Sequence, residues 1–532
     1  MSAPPLRDRR SAAIPAVLVA AGMLLSRISG FLRQTIFSYI FGVQSDAADA
    51  FNAALRIPNF LQNLLGEGVL SASLIPVYAG LLQRTQQRDA DRVARSVLGL
   101  LVLVTSIVVL AGVTFTPALL RATGVFFGGE TFQLTVELVR IIFPGVGLLV
   151  FSAWCLAILN SHHKFFLAYV APVMWNAAMI TALVIYRHDD LATVAIHLAW
   201  GAVIGSALTL GVQLPSVWRI MAPEWTRAKH TFDEHVRRVV LTSIPVFFSR
   251  GAVQISAQVD MAIATLLPTG AVTALYNATQ LYQLPVGLFG MGVSSAALPS
   301  MSAAAAENVI DVLRERLLGG QRAISVLVIP SMMAFLAFGD VIIGLLLQHG
   351  RFTRADTHYV WGVLAGSAVG LLATTIGRLY TAAFFALGDT KTPMRCALVR
   401  VAIVAALGWA MALELPGLIH LQPRWGAAGL TASAGVAGWV EFSLLRRSLQ
   451  LRIGGVGIPF GFLAKAWATA CLTAVPATAL RWVIPDTWLI TRGLVILTVF
   501  GASYLAAGWA LGFVDLDDVR SMVTRRRTRA RT

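Results

Sequence analysis

A chain of 532 residues that is 57% hydrophobic and only 13% charged, with a mean hydropathy of +0.73, carries more apolar surface than a water-soluble fold can bury. Large soluble domains are excluded, and the expected fold class is an all-α polytopic membrane protein. The formal charge of +16, from 42 Lys and Arg against 26 Asp and Glu, would suggest nucleic acid in a soluble protein. Here membrane topology accounts for it, and no nucleic-acid partner is expected.

In chain order, Arg7, Arg9 and Arg10 precede an apolar stretch too long for a signal peptide and without a small-residue cleavage site, so a retained first helix is expected. Fourteen spans follow the hydropathy, at 13–41, 49–82, 94–119, 131–160, 165–186, 192–218, 238–266, 271–304, 322–347, 356–387, 394–415, 425–446, 458–480 and 488–513. The domain reading is a basic N-terminus at 1–12, an N-lobe of spans one to six at 13–222 and a C-lobe of spans seven to twelve at 232–450. Spans thirteen and fourteen occupy 455–513, and a basic tail occupies 514–532. An even count puts both termini on one side. With that side cytoplasmic, its segments hold 27 Lys and Arg against seven opposite: Arg121, Arg187, Arg351, Arg354, Arg424, Arg481 and Arg492. That bias predicts cytoplasmic termini, and the arginine-rich tail suits anionic headgroups.

The second span contains GEGVLSASLIP (Gly66 to Pro76) and the eighth GMGVSSAALP (Gly290 to Pro299), each with a proline shortly before, Pro58 and Pro285. Six helices separate the copies, so the halves share an orientation. Two six-helix lobes, related by an axis along the membrane normal, imply a central cavity. The second span is longer than the hydrocarbon core requires, and Pro58, Gly66, Gly68 and Pro76 offer places for it to break.

Eight basic residues fall inside spans: Arg27, Arg33, Arg56, Arg140, Arg250, Arg378, Arg400 and Lys465. An arginine near the bilayer centre costs about 2.5–3.5 kcal/mol on the lenient insertion scale, so those deep in spans should face water or a partner. Arg140 and Lys465 lie near span ends and can snorkel. Arg27 and Arg250 are near mid-membrane, and Arg33, Arg56 and Arg378 at intermediate depth. The acids are fewer: Asp49, Glu67, Asp260, Glu414 and Glu441, with Glu137 near an end. Each Arg has a structural reading as half of an ion pair. The surplus of cations favours a cavity suited to an anion. Cys155, Cys396 and Cys471 sit in apolar runs and read as buried small hydrophobes. His162 and His163 read as a solvated turn, and Asp389-Thr-Lys-Thr-Pro as a helix-connecting cap. No lysine follows a glycine as a Walker A lysine would. No catalytic set, metal or cofactor is expected.

Several stretches together carry a family signature: SRISGFLR (Ser26 to Arg33), ADAFNAALRIPNFLQNLLGEGVLSASLIPVYAGLL (Ala48 to Leu82), LAILNSHHKF (Leu156 to Phe165), LPVGLFGMGVSSAALPS (Leu284 to Ser300), LLQHGRFTRAD (Leu346 to Asp356) and FFALGDTKTPMR (Phe384 to Arg395). The chain resembles the MurJ (MviN) family, the bacterial lipid II flippases of the multidrug/oligosaccharidyl-lipid/polysaccharide exporter superfamily. The resemblance implies a fourteen-helix inner-membrane protein, with helices thirteen and fourteen forming a lipid-tail groove. It implies as substrate an undecaprenyl-diphosphate-linked disaccharide-pentapeptide, moved outward by alternating access. Membrane lipids and cell-wall synthesis proteins are the implied partners.

By the same resemblance, Arg27, Arg33, Asp49, Arg56 and Glu67 match the family's substrate-site residues in helices one and two. Two positions depart: Gln62 and Gln280 stand where many relatives carry arginine, and neutral amides bind phosphate oxygens more weakly than a charged fork. Arg250 is placed to compensate, and Arg378 joins the candidate set. Some relatives hold a sodium ion with an acid at the Asp260 position. Here the matching stretch of helix eleven, VRVAIVAALGWA (Val399 to Ala410), lacks oxygen ligands. A buried pair of Asp260 with Arg400 is expected instead. The alternatives are an exporter of another polyprenyl-diphosphate-linked glycan and a non-transporting envelope-synthesis scaffold.

Overall fold

The computed structural model describes residues 7–84, 86–162, 164–221, 233–485 and 488–514. The arginine tail and Asp515, Asp517 and Asp518 lie outside them. Apolar sequence with few internal breakers gives helix almost throughout. We number the long stretches α1 (Arg7–Phe41), α2 (Asp46–Gln83), α3 (Gln87–Thr114), α4 (Gly129–Ser161), α5 (Phe165–Val170 and Pro172–Ile185), α6 (Leu191–Met221) and α7 (Glu234–Ala264). They continue as α8 (Ala271–Ala306), α9 (Ile310–Leu347), α10 (Arg354–Ala368 and Leu371–Ala386), α11 (Lys391–Leu418), α12 (Gly426–Ile453), α13 (Phe460–Val483) and α14 (Leu489–Ala510). Each of these stretches overlaps one of the expected spans. Among the described residues, ten are long and apolar enough to cross a membrane, or eleven if the two halves of α10, bent by 42°, form one span. Of the others, α5 is short on both sides of its break.

The helix starts are written in the sequence. Ser45 caps α2 through Ala48 N, Asp233 accepts from Val236 N to cap α7, and Thr353 with Asp356 makes a capping box on α10. Asp389 caps α11 as expected, accepting from the N–H groups of Lys391 and Thr392 and from the Thr392 hydroxyl. Those hydrogen bonds, with Arg452 beside it, hold its carboxyl down at about 2. This contribution is therefore complete at neutral pH, declines once pH falls below the ordinary carboxyl range of about 4, and is gone below about 2.

The chain divides into two compact units, one of residues 1–272 with 349–352, the other of 273–348 with 353–532. The first therefore includes α7, which was expected to open the C-lobe. In sequence α7 follows the long basic connection, but in packing its neighbours within the unit include both halves of α2. At the centre of this unit lies α4, packed against α2, α3 and α6. Its Phe143 fills the place of a side chain at Gly112 of α3, where an added Cβ would fall 2.0 Å from the ring.

In the second unit α9 packs against α8, α10, α13 and α14, and α12 against α10 and α11. Phe338, Ile496 and Phe500 anchor α9 to α14, with Ala474 and Ala477 of α13 closing the cluster. A close helix approach lies between Gly370 in the bend of α10 and Gly435 of α12, where a Cβ on Gly370 would lie 2.5 Å from the Gly435 Cα.

Both copies of the internal repeat fall where their helices are irregular. The α2 ladder breaks at Gly66, whose N–H returns to the Gln62 carbonyl at 2.7 Å. A Cβ there would lie 2.4 Å from that same oxygen. In α8 the residues Val286–Met291 form a π-helical turn, the kind of wide turn that recurs at functional sites. Two other expectations are corrected. Cys471 is exposed, on a face of α13 shared with the exposed Leu472 and Val475, whereas Cys155 and Cys396 are buried as anticipated. His162 is not simply solvated: its Nε2 lies 3.0 Å from the Tyr78 hydroxyl, which also donates to Asp91.

Candidate functional site

Within the first unit the polar side chains of α1, α2, α5 and α7 form two different kinds of feature. At the start of α2 the acids are structural. Asp46 accepts from the Thr269 hydroxyl at 2.8 Å, and Asp49, 3% exposed, accepts from the Gly270 N–H at 2.7 Å. Both fix the connection that leaves α7. Arg56 braces α2 against α7 by donating from Nη2 to the Ala257 carbonyl at 2.7 Å. Asp260 is half-buried one turn further along α7.

On α1, Arg33 is 7% exposed. Its guanidinium lies 5.0 Å from the Trp175 ring centroid, and its Nη1 lies 3.6 Å from the Met179 sulfur. A cation desolvated against an indole is held firmly. The amide of Asn176 on α5 reaches the Ser29 hydroxyl at 3.0 Å, extending the same α1–α5 seam. Arg27, six residues or about 9 Å of helix from Arg33, is by contrast exposed.

Gln62 is half-buried one turn before the Gly66 break, and Glu67 is the first residue after it. The side chains of Glu67 and Arg250 lie outside what is described. Beyond the break, α2 and the opening turns of α7 enclose a cavity of about 350 Å³ lined by Ser73, Arg84, His235, Arg238 and Thr242. Its cations belong to the two cytoplasm-assigned ends of these helices.

The second unit has its own polar cluster at mid-span. Tyr282 of α8 hydrogen-bonds Thr374 of α10. Arg378, one turn along from Thr374 and exposed, lies within electrostatic reach of Tyr282, Arg400 and Glu441. Arg400 Nη1 of α11 meets Glu441 Oε2 of α12 at 3.2 Å. The partner expected for Arg400 was Asp260. Glu441 on the adjoining helix supplies the counter-charge instead, so the motive for that pair is gone. Gln280 is exposed and donates to the Tyr276 hydroxyl at 3.0 Å. Tyr282 and Thr374 were missed by sequence reasoning. The signal for Thr374 was its i, i+4 spacing to Arg378 on one helix face.

Of the expected set, then, Arg27 and Arg378 are exposed residues inside expected spans. Arg33, Arg56 and Asp49 are engaged within the first unit, and Arg400 within the second. Exposed arginines in such a place are suited to phosphate oxygens, which they bind through paired N–H donors.

The family model for lipid II flippase MurJ matches residues 37–504. A probable lipid II flippase MurJ of Rhizobium tropici is 30% identical, over 96% of both chains. The lipid II flippase MurJ of Burkholderia cenocepacia is 29% identical over 94% of this chain and 97% of its own. Among solved structures, an inward closed conformation of a lipid II flippase MurJ superposes with a TM-score of 0.76 at 22% identity, over 93% of this chain and 99% of that one. An inward-facing multidrug resistance MATE transporter of the MOP superfamily superposes at 0.64, with 17% identity over 82% and 98%.

Proposed function

The chain belongs to the lipid II flippase MurJ family, and from that premise we propose that it carries lipid II from the inner to the outer leaflet of a bacterial inner membrane by alternating access, without covalent chemistry. The observation that carries this reading beyond the family is an exposed arginine inside a span of each unit, Arg27 in the first and Arg378 in the second. Lipid would penalise either by about 2.5–3.5 kcal/mol, and a diphosphate is the part of lipid II that compensates them. In this reading Arg27 and Arg378 contact the diphosphate during the cycle. Arg33, Arg56 and Asp49 are positioning residues that hold α1, α2 and the start of α8, and the amides Gln62 and Gln280 add neutral donors. An inside-negative potential favours outward movement of the anion by about 2.3 kcal/mol per charge per 100 mV.

The test is rescue. In cells depleted of their own flippase, expression of this chain should restore lipid II export and growth. Folded, membrane-inserted protein that restores neither would overturn the assignment, including in favour of a carrier for another polyprenyl-diphosphate glycan.

Cytoplasmic termini belong to the same proposal and rest on the 27-to-7 distribution of basic residues. Single cysteines at Asp189 and Gln422, both exposed in connections, should react with an impermeant thiol reagent from outside, in a background lacking Cys155, Cys396 and Cys471. Cysteines at Gln86 and Glu315, exposed on the other set, should react only after the membrane is opened. The reverse pattern would invert the topology.

A further inference from the structure

In the second unit α10, α11 and α12 bring two guanidiniums to one carboxylate. The seam between α10 and α12 is anchored on both sides of that carboxylate. Trp439 Nε1 donates to the Val369 carbonyl in the bend of α10 at 2.8 Å, and the Tyr380 and Phe442 rings stack with centroids 5.4 Å apart. Between these anchors Gly438 leaves room for the Thr374 hydroxyl, whose oxygen would lie 3.1 Å from a Cβ added there. Thr374 is thereby seated on α12 one turn from Glu441, and Arg378 follows it one turn along α10. Arg400 of α11 reaches the same carboxylate.

Glu441 does not saturate these cations. It meets Arg400 through one N–H alone, Nη1 at 3.2 Å, where a guanidinium can offer a carboxylate two parallel bonds. Arg400 Nε is buried and has no hydrogen-bond partner. Arg378 is exposed and within electrostatic reach of both Arg400 and Glu441. Each side chain of the ion pair also retains accessible surface. A carboxylate held by one bond between two arginines, with donors to spare and a route for another anion, is a counter-ion that can be exchanged.

We propose that Glu441 is a built-in stand-in for the phosphate of the cargo: between rounds of transport its carboxylate neutralises Arg400 and Arg378, and a lipid-linked diphosphate displaces it and takes over both guanidiniums. The cargo rests on the flippase reading; the addition is the residue that sets how tightly that cargo is held. A ligand that must compete with an internal carboxylate binds more weakly than the two arginines alone would allow, and the return of the carboxylate favours release.

The full-length protein in phosphatidylcholine nanodiscs, titrated with inorganic pyrophosphate and with farnesyl diphosphate, tests this through the ligand-dependent rise in unfolding temperature. Glu441→Gln should bind both at least about fivefold more tightly than wild type, the lower end of coupling between sites, although the variant itself is less stable. Loss of a merely structural pair would leave affinity unchanged or weaken it, so tightening separates the two roles. Adding Arg378→Gln to Glu441→Gln should remove the gain. Glu441→Asp, which withdraws the carboxylate by one methylene, should show a smaller gain and serves if the glutamine variant does not fold. Affinity that is unchanged or weaker in the folded variant overturns the proposal, as does a gain that survives Arg378→Gln, or a gain for pyrophosphate but not for farnesyl diphosphate, which would make the site one for free diphosphate. Rescue of lipid II export without the gain overturns the proposal and leaves the flippase reading standing. The gain without rescue supports displacement by a prenyl diphosphate and overturns lipid II as the cargo.

Discussion

Arg27→Ala and Arg378→Ala should each lower lipid II export by about ten- to a hundredfold while leaving the folded protein at wild-type level. Both residues are exposed within expected spans. A charged hydrogen bond to an oxyanion is worth about 1.5–3 kcal/mol, which is the range of that loss. Lysine at either position keeps the charge and loses the fork, so partial export is expected. Arg33→Ala and Arg56→Ala should behave differently. Arg33 is packed on Trp175 and Arg56 is bonded to the Ala257 carbonyl, so their loss should lower the amount of folded protein along with export. Export and folded protein can be read from the same membranes, one by accessibility of lipid II to an external reagent and the other by heat-dependent retention in solution. Normal export by the Arg27→Ala, Arg378→Ala double variant would remove both residues from the substrate path.

The distinction between these arginines could not be drawn from sequence. Depth along a helix follows from residue counting, and it placed all four in spans. The direction of each side chain depends on which helix packs on which face. Trp175 is far from Arg33 in the chain and contributes to its packing only once α5 lies against α1. What was legible had local causes. Runs of apolar residues set the helices in order, Asp389 caps the start of α11, and the repeated Gly-x-Gly-Val motif coincided with irregular backbone in α2 and α8. The grouping of α7 and the partner of Arg400 likewise follow from packing rather than from position along the chain. A long basic connection before α7 looks like the seam between halves, yet α7 has its packing partner in α2. Arg400 was assigned to Asp260 by family placement, whereas Glu441 on the adjoining α12 satisfies it at 3.2 Å.

That pair carries the second large effect. Breaking a buried ion pair from one side leaves a charge without its partner and costs about 3–5 kcal/mol. Here the side chains retain 30% and 17% of their accessible surface, so screening reduces the expected loss to about 2–3 kcal/mol. The two sides are not equivalent. Removing Arg400 leaves Glu441 with Arg378, which is within its electrostatic reach. Removing Glu441 instead leaves Arg378 and Arg400 repelling each other without a counter-charge. Glu441→Gln should therefore destabilise the protein more than Arg400→Gln in thermal unfolding, and the double variant should be more stable than Glu441→Gln alone. The coupling energy from the cycle reports on the pair, because the residues share a single direct contact; glutamine is isosteric with Glu441, and the loss of side-chain length at Arg400 is common to the single and the double variant. Strictly additive losses, or an Arg400→Gln variant less stable than Glu441→Gln, would mean that Glu441 does not hold the cluster together.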